Sequence, residues 1–66
     1  MLLKYVVDLR TLKDEERKEL RERLHILSET GISLTKEPGV FTFFLDESIN
    51  PQTIPGLSAE LLHRVP

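Results

Sequence analysis

The residues able to move protons or hold ions are few in this sequence, and they are scattered. His25 and His63 are its two histidines. To act in catalysis, either would need a nucleophile, an orienting group and an oxyanion-stabilising site beside it, and no such set converges on either. Both are read as surface or hydrogen-bonded structural residues. Asp46, Glu47 and Asn50 place three oxygen ligands in one acidic turn. Such a set would hold a divalent cation weakly, but the spacing of a calcium loop is missing and the group reads as a solvated turn. The sequence has no cysteine, which excludes a thiolate zinc site and a disulfide framework. No glycine-rich phosphate loop is present. The expectation is therefore no catalytic residue, no metal ligand, no cofactor and no enzymatic activity.

The densest polar feature is the run over residues 13–23. Lys13, Glu16, Arg17 and Arg21 form a candidate docking face for a charged partner. The same residues also suit a solvated helix face, with Asp14 and Lys18, and Glu19 and Arg23, spaced as i,i+4 pairs. Nine basic against eleven acidic residues give a formal charge of −2. A protein held on nucleic acid by phosphate neutralisation normally needs a cationic surplus, so nucleic acid is not the expected partner. No apolar run approaches the roughly 18 residues of a membrane span. The first residues lack the charged region and cleavage site of a signal peptide and are read as structure. Together with the absence of cysteine, this leads to the expectation of a cytoplasmic protein.

These side chains must be positioned by a short series of elements. Over residues 2–9, Leu3, Tyr5, Val7 and Leu9 alternate with Lys4, Val6 and Asp8, the period of a half-buried strand. Helical spacing follows, and a helix is predicted over residues 12–29. Thr11 would be its N-cap, with Asp14 at the reciprocal position of a capping box, and Gly31 would follow its C-terminal end. Its apolar stripe is Leu20, Leu24 and Leu27, with Ile26 to one side and Leu12 at the start. A hairpin is predicted over residues 32–45. Its turn is Glu37-Pro38-Gly39-Val40, with proline and glycine at the central positions of a type II turn. In its second strand Phe41, Phe43 and Leu45 share one face, and Val40, Thr42 and Phe44 share the other. Apolar groups on both faces suggest a central strand.

Residues 46–66 are harder to read. Asn50-Pro51 and Pro55-Gly56 are turn signals with room for one helical turn between them. Residues 58–65 read either as a helix capped by Ser58 or as a strand, and the strand is favoured because it would complete a compact sheet. The fold class is α+β: a single domain with a βαββ core, three or four strands, and one long helix on one face. A minimal ferredoxin-like βαββαβ arrangement is the extended version of this reading.

The aromatic strand has a second reading. Gly39-Val40-Phe41-Thr42-Phe43-Phe44 resembles the first ribonucleoprotein motif of RNA-recognition-motif domains, and Lys4-Tyr5-Val6-Val7-Asp8-Leu9 resembles the second. The resemblance implies Tyr5, Phe41 and Phe43 as a stacking platform for single-stranded RNA or DNA. It departs from the family at Thr42, at Lys4, and in lacking the basic-glycine pair. Exposing those aromatics would also turn Lys4, Asp8 and Thr42 inward, at a cost exceeding the roughly 1.5–3 kcal/mol gained by burying a large apolar side chain. The odd-numbered face is therefore expected to be the core. The even face then presents Val6, Val40 and Phe44, either beneath the C-terminal segment or to another chain. The leading expectation is a small interaction or regulatory protein that binds another protein or itself, since a chain of this size is only marginally stable alone.

Overall fold

The first strand, β1 (Leu2–Asp8), carries the alternation that the sequence announces. A computed structural model describes residues 1–28 and 30–65. Within it β1 is followed by helix α1 (Asp14–Leu27), the two-residue strand β2 (Ser33–Leu34), β3 (Val40–Asp46), one turn of 3-10 helix (Pro51–Thr53) and β4 (Leu62–Arg64). The strands form one sheet in the order β2-β3-β1-β4, with every neighbouring pair antiparallel. The fold is α+β, with one long helix and a four-stranded antiparallel sheet. The expected strand near the end is present, although only three residues long. A second helix is not: the connection from β3 to β4 holds the single 3-10 turn, and there the chain departs from a βαββαβ arrangement.

The register aligns β1 and β3 along their full lengths, so Tyr5 lies opposite Phe43 and Val7 opposite Phe41. The Tyr5 and Phe43 rings stack with centroids 5.6 Å apart. Directly opposed residues share a face, and this is the face that carries the core. Val7, Leu9, Leu45 and the helical Leu24 are fully enclosed, with Phe43 and Leu20 nearly so. Ile54 and Leu57 join the same cluster. The segment after β3 therefore fills the helix side of the sheet beside α1, where Arg23 Nη1 donates to the Pro55 carbonyl at 2.6 Å. The hairpin turn forms as expected: Val40 N–H donates to Glu37 O, and Gly39 adopts φ +83°.

The helix is shorter than its sequence pattern at both ends. Thr11 is not the N-cap, because residues 9–12 form a turn in which Leu12 N–H donates to Leu9 O. Lys13 takes the cap position, and Glu16 Oε1 accepts its backbone N–H at 3.4 Å, so the reciprocal role falls to Glu16 rather than Asp14. At the other end Ser28 leaves the helix in extended conformation. Its hydroxyl donates to Phe44 O at 2.9 Å and accepts Phe44 N–H at 3.4 Å, standing in for a strand residue beyond the short β2. Glu29, the predicted last residue, lies outside the described residues. Gly31 does adopt a left-handed φ of +75°, but three residues past the cap. Ending the helix early also removes Leu27 from the buried stripe: it is 39% exposed, Ile26 is 81% exposed, and the seam is Leu20 with Leu24.

Candidate functional site

Among the described residues, the structure that covers the sheet lies on one side of it. Of the two alternatives for the even face, cover by the C-terminal segment is overturned, because Ile49, Ile54, Leu57, Leu61 and Leu62 belong to or pack against the core on the odd face. Among the described residues, no element forms a second layer over the even face. From β1 it presents Leu2, Lys4, Val6 and Asp8, and from β3 Val40, Thr42, Phe44 and Asp46. His63 of β4 lies opposite Val6 and faces the same way. Val6 and Phe44 are half-buried and Val40 is buried at the turn end. The ammonium of Lys4 stands 6.0 Å from the centre of the Phe44 ring.

At the turn end of this face lies an open groove of about 380 Å³. Val6 and Val40 form its floor, and Asp8, Arg10, Glu37 and His63 stand on its rim. Arg10 grips Asp8 with two guanidinium bonds of 2.9 and 2.7 Å, and its backbone N–H donates to the same carboxylate at 3.0 Å. Its third nitrogen lies 3.3 Å from Glu37. These bonds from Arg10 hold the Asp8 carboxyl down at about 2 and raise the guanidinium above its ordinary value. The rim is a preformed charged frame around an apolar floor, a composition suited to binding. The Asp8–Arg10 spacing is local, but only the hairpin register brings Glu37 and His63 beside it, so the pattern of single residues did not reveal the group.

The helix residues expected to dock a partner have intramolecular roles. Arg17 donates to Leu9 O at 3.2 Å and Leu12 O at 3.0 Å, strapping the loop before α1, and lies 3.6 Å from Asp14. Glu16 accepts the Lys13 N–H. The guanidinium of Arg21 sits 5.6 Å from the Phe41 ring centre. The i,i+4 pairs expected for Asp14 and Glu19 are replaced by Asp14–Arg17 and by the bond from Arg23 to Pro55. The alternative stacking residues are enclosed: Tyr5, Phe41 and Phe43 are 7%, 5% and 1% exposed. As a platform they would have to displace α1.

The two histidines lie apart, His63 on the rim of the groove and His25 on α1. His25 is exposed, with its ring against Gly31, where a Cβ would come within 2.9 Å of it. Of the three oxygen groups in the acidic turn, Asp46 and Glu47 both face the Met1 amine, at 3.4 and 3.8 Å, while Asn50 serves the 3-10 turn. Asp46 accepts the backbone N–H and hydroxyl of Ser48 and the Met1 amine, while Asn50 accepts Gln52 N–H at 3.0 Å and caps the 3-10 turn. The Ser48 hydroxyl is the main cause of a lowered Asp46 pKa. Among the described residues, no group of three or more histidine, cysteine or acidic side chains is placed to hold a metal ion. No described helix is long and apolar enough to cross a membrane. Comparison with protein-family models, with curated proteins and with solved structures finds no match.

Proposed function

We propose that this chain is a small non-enzymatic interaction protein, working in the cytoplasm, that binds another protein through the even face of its sheet. The observation that supports this reading is the one-sided packing. Among the described residues, the elements that cover the sheet lie against Tyr5, Val7, Phe41 and Phe43, while Val6, Val40 and Phe44 form an apolar strip with no second layer. Contiguous apolar surface rimmed by polar groups is characteristic of interaction sites. The rim of Asp8, Arg10, Glu37 and His63 would set orientation, and the strip would supply most of the affinity. Lys13, Glu16, Arg17 and Arg21 are a weaker choice of docking face, since three of them brace the start of α1.

The test is affinity capture from a source lysate, with and without nuclease, using wild-type protein and Phe44→Glu. A stoichiometric protein captured in both wild-type arms and lost with Phe44→Glu, while the circular dichroism spectrum is kept, is the expected result. Loss of every partner on nuclease treatment, or capture indifferent to Phe44→Glu, would overturn the reading.

A further inference from the structure

The helix side has a second incomplete surface, at the β2 edge. Ile26, Leu27 and Leu34 are three of the five large apolar residues exposed among those described, and Leu34 is 83% exposed. Ile26 and the half-buried Ile32 line an open groove of about 520 Å³ along the outer flank of α1, together with Arg21, Glu22 and His25. Leu34 lies opposite Phe41 and shares its face of the sheet, two residues along the strand from Ile32.

The backbone at this edge has a defined polarity. Thr35 N–H donates to Val40 O at 3.3 Å, while Val40 N–H turns back to Glu37 O, so Thr35 occupies a bonded position at the end of the β2–β3 ladder through a single bond. Bonded and non-bonded pairs alternate in an antiparallel ladder, so Leu34 directs both its N–H and its C=O away from β3. One residue offering a donor and an acceptor outward is self-complementary. A second copy related by a two-fold axis through Leu34 can exchange both bonds with it, as the narrow pair of an antiparallel ladder does. The flank's charge is also self-complementary, because Arg21 and Glu22 of each copy can be met by Glu22 and Arg21 of the other. The β4 edge differs: it carries the exposed His63 and Arg64, charged or polar groups of the kind that discourage pairing.

We infer that this chain forms a weak symmetric dimer by antiparallel pairing of β2 with β2 of a second copy, centred on Leu34, with Ile26 and Ile32 of both copies closing over the joint. This surface is separate from the even face, and the dimer would leave that face free. The two-residue strand limits the joint to few backbone bonds, so the association is expected to be weak and concentration-dependent.

The absence of native cysteine makes a site-specific test direct. The Cα atoms of a hydrogen-bonded antiparallel pair are about 5.5 Å apart, within the range that a disulfide spans. Leu34→Cys is oxidised mildly beside Arg64→Cys, which places a thiol on the opposite edge. Wild type, Leu34→Glu and Phe44→Glu are compared by sedimentation equilibrium over a concentration series, with circular dichroism confirming each fold. The expected results are a covalent dimer from Leu34→Cys at least tenfold faster than from Arg64→Cys, a wild-type mass rising toward twice that of the monomer, loss of that rise with Leu34→Glu, and its retention with Phe44→Glu. A wild-type mass that stays monomeric, equal cross-linking at both edges, or dimerisation abolished by Phe44→Glu but not by Leu34→Glu would overturn the inference. The last of these outcomes would transfer self-association to the even face.

Discussion

Phe43 and Phe44 are neighbours in the chain and face opposite sides of the sheet, so truncating each in turn measures which side is the core. Phe43 is 1% exposed and stacked on Tyr5. Its replacement by alanine removes a fully enclosed ring and leaves a cavity, a change that costs about 3–5 kcal/mol. Phe44 is half-buried, with the Lys4 ammonium over its ring. Only part of the roughly 1.5–3 kcal/mol for a fully buried large side chain is at stake there, and Phe44→Ala is expected to cost about 1 kcal/mol. A chain of 66 residues has a total stability of about 3–10 kcal/mol at the usual ~0.05–0.15 kcal/mol per residue. Phe43→Ala therefore removes about 30% of it or more, and Phe43→Leu supplies a milder step if the alanine variant does not fold. Urea titrations followed by circular dichroism read both effects. With a slope near ~1 kcal/mol/M, the midpoint falls by about 3 M or more for Phe43→Ala and by about 1 M for Phe44→Ala. If Phe44→Ala costs as much as Phe43→Ala at equal slopes, the odd face is not the core and the reasoning from register to burial fails.

Two further outcomes follow from single contacts. Ser28→Ala leaves the Phe44 N–H and C=O without the hydroxyl that serves both, at a cost of about 1–3 kcal/mol. Thermal melting should show a midpoint lower by about 4–8 °C per kcal/mol, while Thr30→Ala, on an exposed neighbour, should stay near wild type; equal melting of the two variants would mean that the edge contact contributes nothing. Asp8 titrates at about 2 when folded, below its ordinary value of 3.8, so the folded state binds its proton less readily than the unfolded chain. The stability this contributes is present above about pH 4 and is lost as pH falls toward 2. In an NMR titration Arg10→Met should return the Asp8 carboxyl toward 3.8, and a wild-type Asp8 already titrating there would show that the Arg10 pairing does not form in solution.

The alternation of Leu3, Tyr5, Val7 and Leu9, the proline-glycine turn and the opposed faces of β3 are written in local spacing, and these features of the sheet were legible. The weighing of Lys4 and Asp8 against Tyr5 and Phe43 also located the core, because burying charge costs more than exposing an aromatic ring. What escaped the sequence depends on contacts between distant residues. Thr11 has the chemistry of a cap, but the bond between Leu12 and Leu9 shifts the helix start to Lys13. Leu27 continues the apolar stripe, but Ser28 is drawn out of the helix to bond β3. The direction taken by Ile54 and Leu57 carries no local signal, since either face of the sheet could have received them. The groove rim was hidden for the same reason: Asp8, Arg10, Glu37 and His63 meet only once the hairpin and β4 have taken their register.

The pairing of β4 with β1 brings together residues from opposite ends of the chain, with Tyr5 across from Arg64. β1, α1, β2 and β3 can complete their own ladder and the Leu20–Leu24 seam while the outer edge of β1 still lacks a neighbour. Loop closure over nearly the whole chain is then followed by only three strand pairs. The last strand is therefore expected to join late in folding and to leave early in unfolding. In that order of events β1, at the centre of the finished sheet, would serve as an edge until β4 arrives.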